Sequence, residues 1–225
     1  MFDLIEEVLS LYGSSACDPK KHEKYGEVYG SRQVLVIVPR IGIDFQPGAH
    51  VHEAYEFFIP LRQSFLMQTR EQDFFLKPND VLLLPPGQTH GPALPTRKSL
   101  VLTIFVNKDF MHELYCSVFG TGAVNLAVHQ CLFTDVSYRK IFQMREEKMR
   151  RQAGFQFVIE NTAVLLVVDL LRQLNTRPSD SSKALKSEKA GSIANVMEFL
   201  QQNFNQEYSL KDLAALAEIS PYHFI

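Results

Sequence analysis

Cysteine is scarce in these 225 residues, and charge of one sign is not in excess. Cys17, Cys116 and Cys131 are odd in number, far apart and without a C-x-x-C pair. That argues against a disulfide framework or a cysteine zinc site and reads as reduced thiols of a cytoplasmic protein. The formal net charge of −2 gives no chain-wide pull toward nucleic acid, though it leaves room for a local basic patch. No long uncharged apolar run is present. The most apolar window, 155–174, carries Glu160, Asn161, Asp169 and Arg172, so it is not a membrane span. The N-terminus, Met1-Phe2-Asp3-Leu4-Ile5-Glu6-Glu7, has acids where a secretory signal needs bases. With 46% apolar and 21% charged residues, the chain has the composition of a soluble globular protein of one large or two small domains.

Hydrophobic periodicity divides the chain into regions. Phe2, Ile5, Leu9 and Tyr12 make one helical stripe, stopped by Gly13-Ser14-Ser15. From Gln33 to Val106 the pattern is short strands: Val34–Val38, Ile43 to Phe45, a strand over 50–58, Phe65–Thr69, Phe74–Leu76, Val81–Leu84 and Leu100–Val106. Turns such as Pro47-Gly48 and Lys77-Pro78-Asn79-Asp80 separate them, which predicts an antiparallel barrel or sandwich. Asn107 then caps a helix with Asp109 in its first turn and Gly120 at its end. A charged helix over 135–151 follows, with Ile141, Phe142 and Met149 as its apolar side. Its bases read as a solvated face rather than a nucleic-acid patch. After Gly154 comes the helix 155–174, apolar nearly all round, which must bury more than one face. A homodimer through 135–151 and 155–174 is the expectation. Residues 177–191, rich in Ser, Asp and Lys, read as a linker between a domain at 1–176 and a helical domain at 192–225.

The stretch His50-Val51-His52-Glu53-Ala54-Tyr55-Glu56 organises the first domain. In a strand, side chains alternate between faces, so His50, His52, Ala54 and Glu56 share one face. Two imidazoles and a carboxylate are costly to bury without partners, so they mark a polar pocket in an apolar barrel. The turn Pro85-Pro86-Gly87-Gln88-Thr89-His90 aims a third imidazole, His90, toward the same space.

The patterns H-x-H-x3-E and P-x-G-x2-H resemble the two signature motifs of the cupin superfamily, from about Tyr25 to Val106. The resemblance implies a small β-barrel in which His50, His52, Glu56 and His90 can hold one divalent metal. Leu61-Arg62-Gln63-Ser64 stands where a cupin glycine is usual, so the turn is built differently.

In the tail, Ser209-Leu210-Lys211-Asp212 starts a helix like a capping box, and Ser220 with Pro221 starts another. This is a helix-turn-helix order. The segment Phe199-Leu200-Gln201-Gln202-Asn203-Phe204, Ser209–Ala217 and Ile219–Phe224 resembles the start of the DNA-binding domain of AraC-family transcription regulators. In that family an effector-binding cupin precedes a helical dimerisation segment and two helix-turn-helix units. The resemblance places Ser220, Pro221, Tyr222 and Ile225 at the start of a recognition helix that contacts DNA. The later basic positions and the second unit are not matched. From Arg177 to Ile225 the formal charge is about −1, so these 225 residues are expected to show no specific DNA binding on their own.

The fold expected is therefore mixed β and α: a cupin-like antiparallel barrel, a helical dimerisation segment and the start of an all-α helix-turn-helix domain. The function expected is a cytoplasmic, non-enzymatic transcriptional regulator, a homodimer whose partners are DNA and a small-molecule effector such as a sugar, a sugar acid or another small metabolite. A metal-free pocket of His50, His52, Glu56 and His90 is the first reading. One divalent ion (Zn, Mn, Fe or Ni) on the same residues is the alternative. With metal, a cupin isomerase or dioxygenase is the enzyme alternative. A ligand-binding or dimerisation module without DNA binding is the third.

Overall fold

The computed structural model describes residues 26–120 and 126–175, together with Ser209 and Ala214. The expected helix at 2–12, the linker at 177–191 and the DNA-contacting Ser220, Pro221, Tyr222 and Ile225 lie outside the described residues. Two compact units are separated, Met1–Asn175 and Thr176–Ile225. In the second, Ala214 is helical and buried and Ser209 is exposed.

The first unit is mixed β and α, with eleven described strands and three described helices. The strands are β1 (Gly26–Gly30), β2 (Val34–Pro39), β3 (Ile43–Phe45), β4 (Tyr55–Pro60), β5 (Phe65–Thr69), β6 (Asp73–Leu76), β7 (Asp80–Leu84), β8 (His90–Pro92), β9 (Thr96–Ser99), β10 (Val101–Val106) and β11 (His129–Leu132). The helices are α1 (Lys108–Phe119), α2 (Asp135–Arg150) and α3 (Phe155–Asn175). Six strands form one sheet in the order β1-β2-β10-β4-β7-β11, opposed by a three-stranded sheet β6-β5-β8 and a pair β3-β9. Every pairing is antiparallel.

The large sheet is buried on both faces, which is why its central strands read as continuous apolar runs. Val34, Val36, Phe57, Ile59, Val81, Leu83, Ile104 and Val106 face the helices, where they share a core with Ile159, Ala163, Leu166 and Leu170 of α3. Their neighbours in sequence point inward: Phe58, Leu82 and Leu84 join Phe65, Met67 and Leu76 between the sheets. Each such side chain contributes about 1.5–3 kcal/mol when fully buried. The turn before β7 is pinned by the helical layer. Asn79, at φ 71°, accepts a 2.5 Å bond on its side chain from the Tyr138 hydroxyl, and its carbonyl accepts from Phe133 N at 2.8 Å.

The first-motif strand begins at Tyr55, not at residue 50. Residues 50–54 are held instead by the second motif, with His50 in a single bridge to His90. The α1 signals hold: Asn107 Oδ1 accepts from Asp109 N and Phe110 N at 3.0 and 3.1 Å, and Gly120 ends the helix at φ 84°. The face of α2 is corrected. Its buried stripe is Ser137, Ile141 and Met144, whereas Phe142 and Met149 are 61% and 76% exposed. They lie about 100° and 80° round the helix from Ile141, off the contact stripe. In α3 the apolar excess is absorbed largely within the unit, against α2, β1, β2 and β11, while Phe157 and Leu165 remain exposed. Among the described residues, no helix is long and apolar enough to cross a membrane.

Candidate ligand pocket

Backbone bonds join the two motifs directly. His50 N donates to His90 O at 2.9 Å and His90 N to His50 O at 3.0 Å, while Gly87 N donates to His52 O at 2.9 Å. Gly87 turns the chain after Pro85-Pro86 at φ 77°, a conformation that favours glycine. Gly91 is required for another reason. A Cβ there would stand 1.8 Å from the carbonyl oxygen of Gly48, so only a hydrogen permits this approach of the chains.

The side chains of His50, His52, Glu56 and His90 all converge. One ligand atom from each lies within 4.8 Å of every other. His52, Glu56 and His90 are no more than 5% exposed. Alternation along β4 places Glu56 there: Glu56 and Phe58 point inward, and Phe57 and Ile59 point to the helices.

Glu56 Oε2 stands 3.2 Å from His52 Nε2 and 3.0 Å from His90 Nε2. Yet Glu56 Oε2, His90 Nε2 and His52 Nδ1 lack a hydrogen-bond partner in acceptable geometry. Glu56 Oε2 and His90 Nε2 therefore stand close without being aligned on one another. His90 Nδ1 lies 2.8 Å from the carbonyl of Gln88. A carbonyl only accepts, so Nδ1 carries the proton, and the neutral ring turns the lone pair of Nε2 toward Glu56. Burial pushes the Glu56 carboxyl up, but the two imidazoles outweigh it and hold the group below the ordinary carboxylate range. Burial pushes His90 down, and Glu56 with the Gln88 carbonyl reverses that into a net rise. Burial, then His90, lowers His50 to about 4, so His50 is neutral at physiological pH.

This donor set fits a divalent cation. Metal–nitrogen and metal–oxygen bonds of about 2.0–2.2 Å place neighbouring donors about 2.9–3.5 Å apart, as the Glu56 contacts are. The carbonyl-anchored Nδ1–H of His90 is the outer contact that orients a ligating imidazole. A metal bound there would be held by His50, His52, Glu56 and His90, and would supply Lewis acidity at any open position.

These residues form one end of a cavity of about 330 Å³, within the range of small-molecule sites. The rest of its wall is mainly apolar and includes Phe45, Phe58, Phe65, Met67 and Phe105. The sequence reading did not single these out. Two signals point to them: Phe58 follows Glu56 by two residues on one strand, and Phe105 is its register partner on β10.

No protein-family model matches the chain. The chain is homologous to the uncharacterised HTH-type transcriptional regulator YbfI of Bacillus subtilis (strain 168), with 25% identity over 184 residues. That match covers 78% of this chain and 62% of YbfI, so the chain spans less than two-thirds of its relative's length. Among solved structures, apo ToxT K231A from Vibrio cholerae strain SCE256 aligns over 87% of this chain and 92% of its own, at 11% identity and a TM-score of 0.42. A cupin protein from Bacteroides fragilis aligns over 34% of this chain and 67% of its own, at 18% identity and a TM-score of 0.29.

Proposed function

We propose that this chain is the sensing part of an AraC-type transcriptional regulator. A small molecule enters the barrel, and its contacts there alter DNA binding through the segment 192–225, whose sequence resembles the start of a helix-turn-helix domain. The observation that carries this reading is the cavity itself: an apolar chamber with four converging polar side chains at one end. The chain's similarity to an HTH-type regulator supports a regulatory reading of that chamber.

A sensor requires a ligand that binds one arrangement better than another, and a route out of the pocket. Strand β1 supplies the route. Gly26 lines the cavity. The next residue, Glu27, accepts from the Tyr29 hydroxyl and from Arg40 Nε at 3.1 Å, and lies 4.0 Å from Arg145 Nε of α2. Lys148 of α2 donates to Val28 O at 3.2 Å and sits 4.8 Å above the Tyr29 ring. A ligand that shifts β1 therefore bears on α2, whose exposed Phe142 and Met149, with Phe157 and Leu165 of α3, suit a homodimer contact. The regulator acts on DNA in the cytoplasm.

The test is a thermal-shift screen of the protein against small metabolites, because a ligand that binds only the folded state raises the melting temperature. The expected result is a saturable rise that is lost in His50→Ala/Glu56→Ala protein of unchanged circular dichroism. A response that survives the double substitution sinks the pocket assignment.

The partnerless Glu56 Oε2 and His90 Nε2, 3.0 Å apart, favour a second reading, a metal-dependent cupin enzyme. Stoichiometric metal together with turnover of a pocket ligand would establish it. Ligand binding without turnover would favour the sensor.

A further inference from the structure

The walls of the cavity restrict what the sensor can hold, and this inference rests on the sensor reading above. At one end stand His50, His52, Glu56 and His90. Away from them the surface is aromatic. Phe45 and Phe58 both meet Phe65, with ring centroids 5.5 and 4.8 Å apart, and Phe105 meets the His52 ring edge-on at 5.0 Å. Phe105 thus brings the apolar wall into contact with an imidazole. Among the other described lining residues, only Gln46 and Thr103 carry polar side chains, and Gln46 is exposed. No Lys, Arg or Asp is among them.

This distribution is wrong for a sugar. A sugar bears a hydroxyl on nearly every carbon, and each hydroxyl buried without a partner costs affinity. One polar end and an aromatic body match a different shape of molecule. The head-group chemistry also follows. An imidazole N–H of His50 or His52 can donate to oxygen, the Nδ1–H of His90 being committed to the Gln88 carbonyl, and a divalent cation on the same four residues accepts oxygen lone pairs. Either state of the cluster is satisfied by an oxygen atom. We propose that the effector is a compact, mostly apolar molecule with a single oxygen-donor head group, its head at His50 and His52 and its body against Phe45, Phe58, Phe65 and Phe105. Of the expected effectors, a sugar, a sugar acid or another small metabolite, this favours the last.

Four probes test it by calorimetry on the 225-residue protein, both chelator-treated and loaded with Zn²⁺: 3-phenylpropionate, octanoate, D-gluconate and D-glucose. Gluconate shares the carboxylate head, so the comparison isolates the body. In one or both protein states, at least one apolar acid should bind about tenfold tighter than gluconate or better, and glucose should not saturate a site. Phe45→Ala, at a half-buried position, should weaken the apolar acid about fivefold or more. If that variant loses its circular dichroism, Ile43→Ser on the same strand serves in its place. Gluconate or glucose binding as tightly as both apolar acids overturns the ligand class and leaves the sensor reading standing. So does failure of all four probes, because the sensor reading rests separately on the metabolite screen. Indifference of the apolar acid to both wall variants overturns the placement of its body.

Discussion

Adding a divalent cation to chelator-treated protein should raise its melting temperature, and the structure sets the size of the effect. Three imidazole nitrogens and one carboxylate oxygen already lie within 4.8 Å of one another, and the tautomer of His90 is set by Gln88. Little reorganisation is needed before binding, so most of the binding energy should appear as stability. A cation present at 100 times its Kd stabilises the folded state by about 2.7 kcal/mol. For a unit of this size, about 1 kcal/mol moves Tm by roughly 2–4 °C, which gives a rise of about 5–11 °C. Differential scanning fluorimetry with Zn²⁺, Mn²⁺, Co²⁺ and Ni²⁺ reads the shift, and elemental analysis of the dialysed protein should give one metal per chain. Glu56→Gln keeps the side-chain shape but removes the only anionic donor, so it should abolish at least half of the rise. An unchanged Tm with all four metals refutes the reasoning, as does an undiminished rise in a His52→Ala/Glu56→Gln double variant. The convergent atoms would then belong to a hydrogen-bonding pocket in which a proton on His90 neutralises Glu56.

Three further outcomes follow from named contacts. Gly91→Ala should cost more than about 3 kcal/mol in urea unfolding, because its Cβ would meet a backbone oxygen that cannot move aside; Gly87→Ala, strained only by its φ, should cost about 1–2 kcal/mol, and equal losses would contradict the close approach of Gly91 to Gly48. Burial pushes the Glu27 carboxyl up, but the bonds from Tyr29 and Arg40 and the charges of Arg40 and Arg145 outweigh it and lower it. A depressed carboxylate stabilises the fold above its unfolded value of about 4.3 and loses that contribution as pH falls through the folded value; Glu27→Gln should therefore cost about 1 kcal/mol or less at pH 7, and the gap should close below about pH 4. Finally, Phe142→Glu with Leu165→Glu should convert a dimer into a monomer in sedimentation while leaving Tm within a few degrees, since both side chains are exposed.

Period-two alternation made only part of the pocket legible. It places Glu56 and Phe58 on the inward face of the first-motif strand, whereas His52 precedes that strand across the bend at Glu53-Ala54 and is held by the backbone bond from Gly87. The same rule separates Phe57 from Phe58 and Val36 from Ile37, so the two buried layers were implicit in the strand pattern. The missed strands share a position rather than a composition. β1 and β11 are the outer strands of the large sheet, and β9 lies in a two-stranded pair. Their sequences, Gly-Glu-Val-Tyr-Gly, His-Gln-Cys-Leu and Thr-Arg-Lys-Ser, carry little alternation because an edge strand is specified by the neighbour that pairs with it. The buried face of α2 escaped for a related reason. Ser137 occupies a core position there, and residue type alone ranks Phe142 and Met149 above it.

The cavity shows where sequence reading stops. Phe45, Phe65 and Met67 come from the smaller sheets, Phe58 and Phe105 from the large one, and no single-strand pattern says that they face each other. Motif residues could be read for their donor atoms, which is why the metal alternative was visible. The apolar body of the pocket was not, so the expected effector ranged over a sugar, a sugar acid or another small metabolite. A pocket has two chemistries, and only the one concentrated in a motif is written locally. The donor end is common to the sensor and the enzyme readings alike. It is the wall, assembled across sheets, that discriminates among effectors, so the residues that decide specificity are those that a motif search passes over.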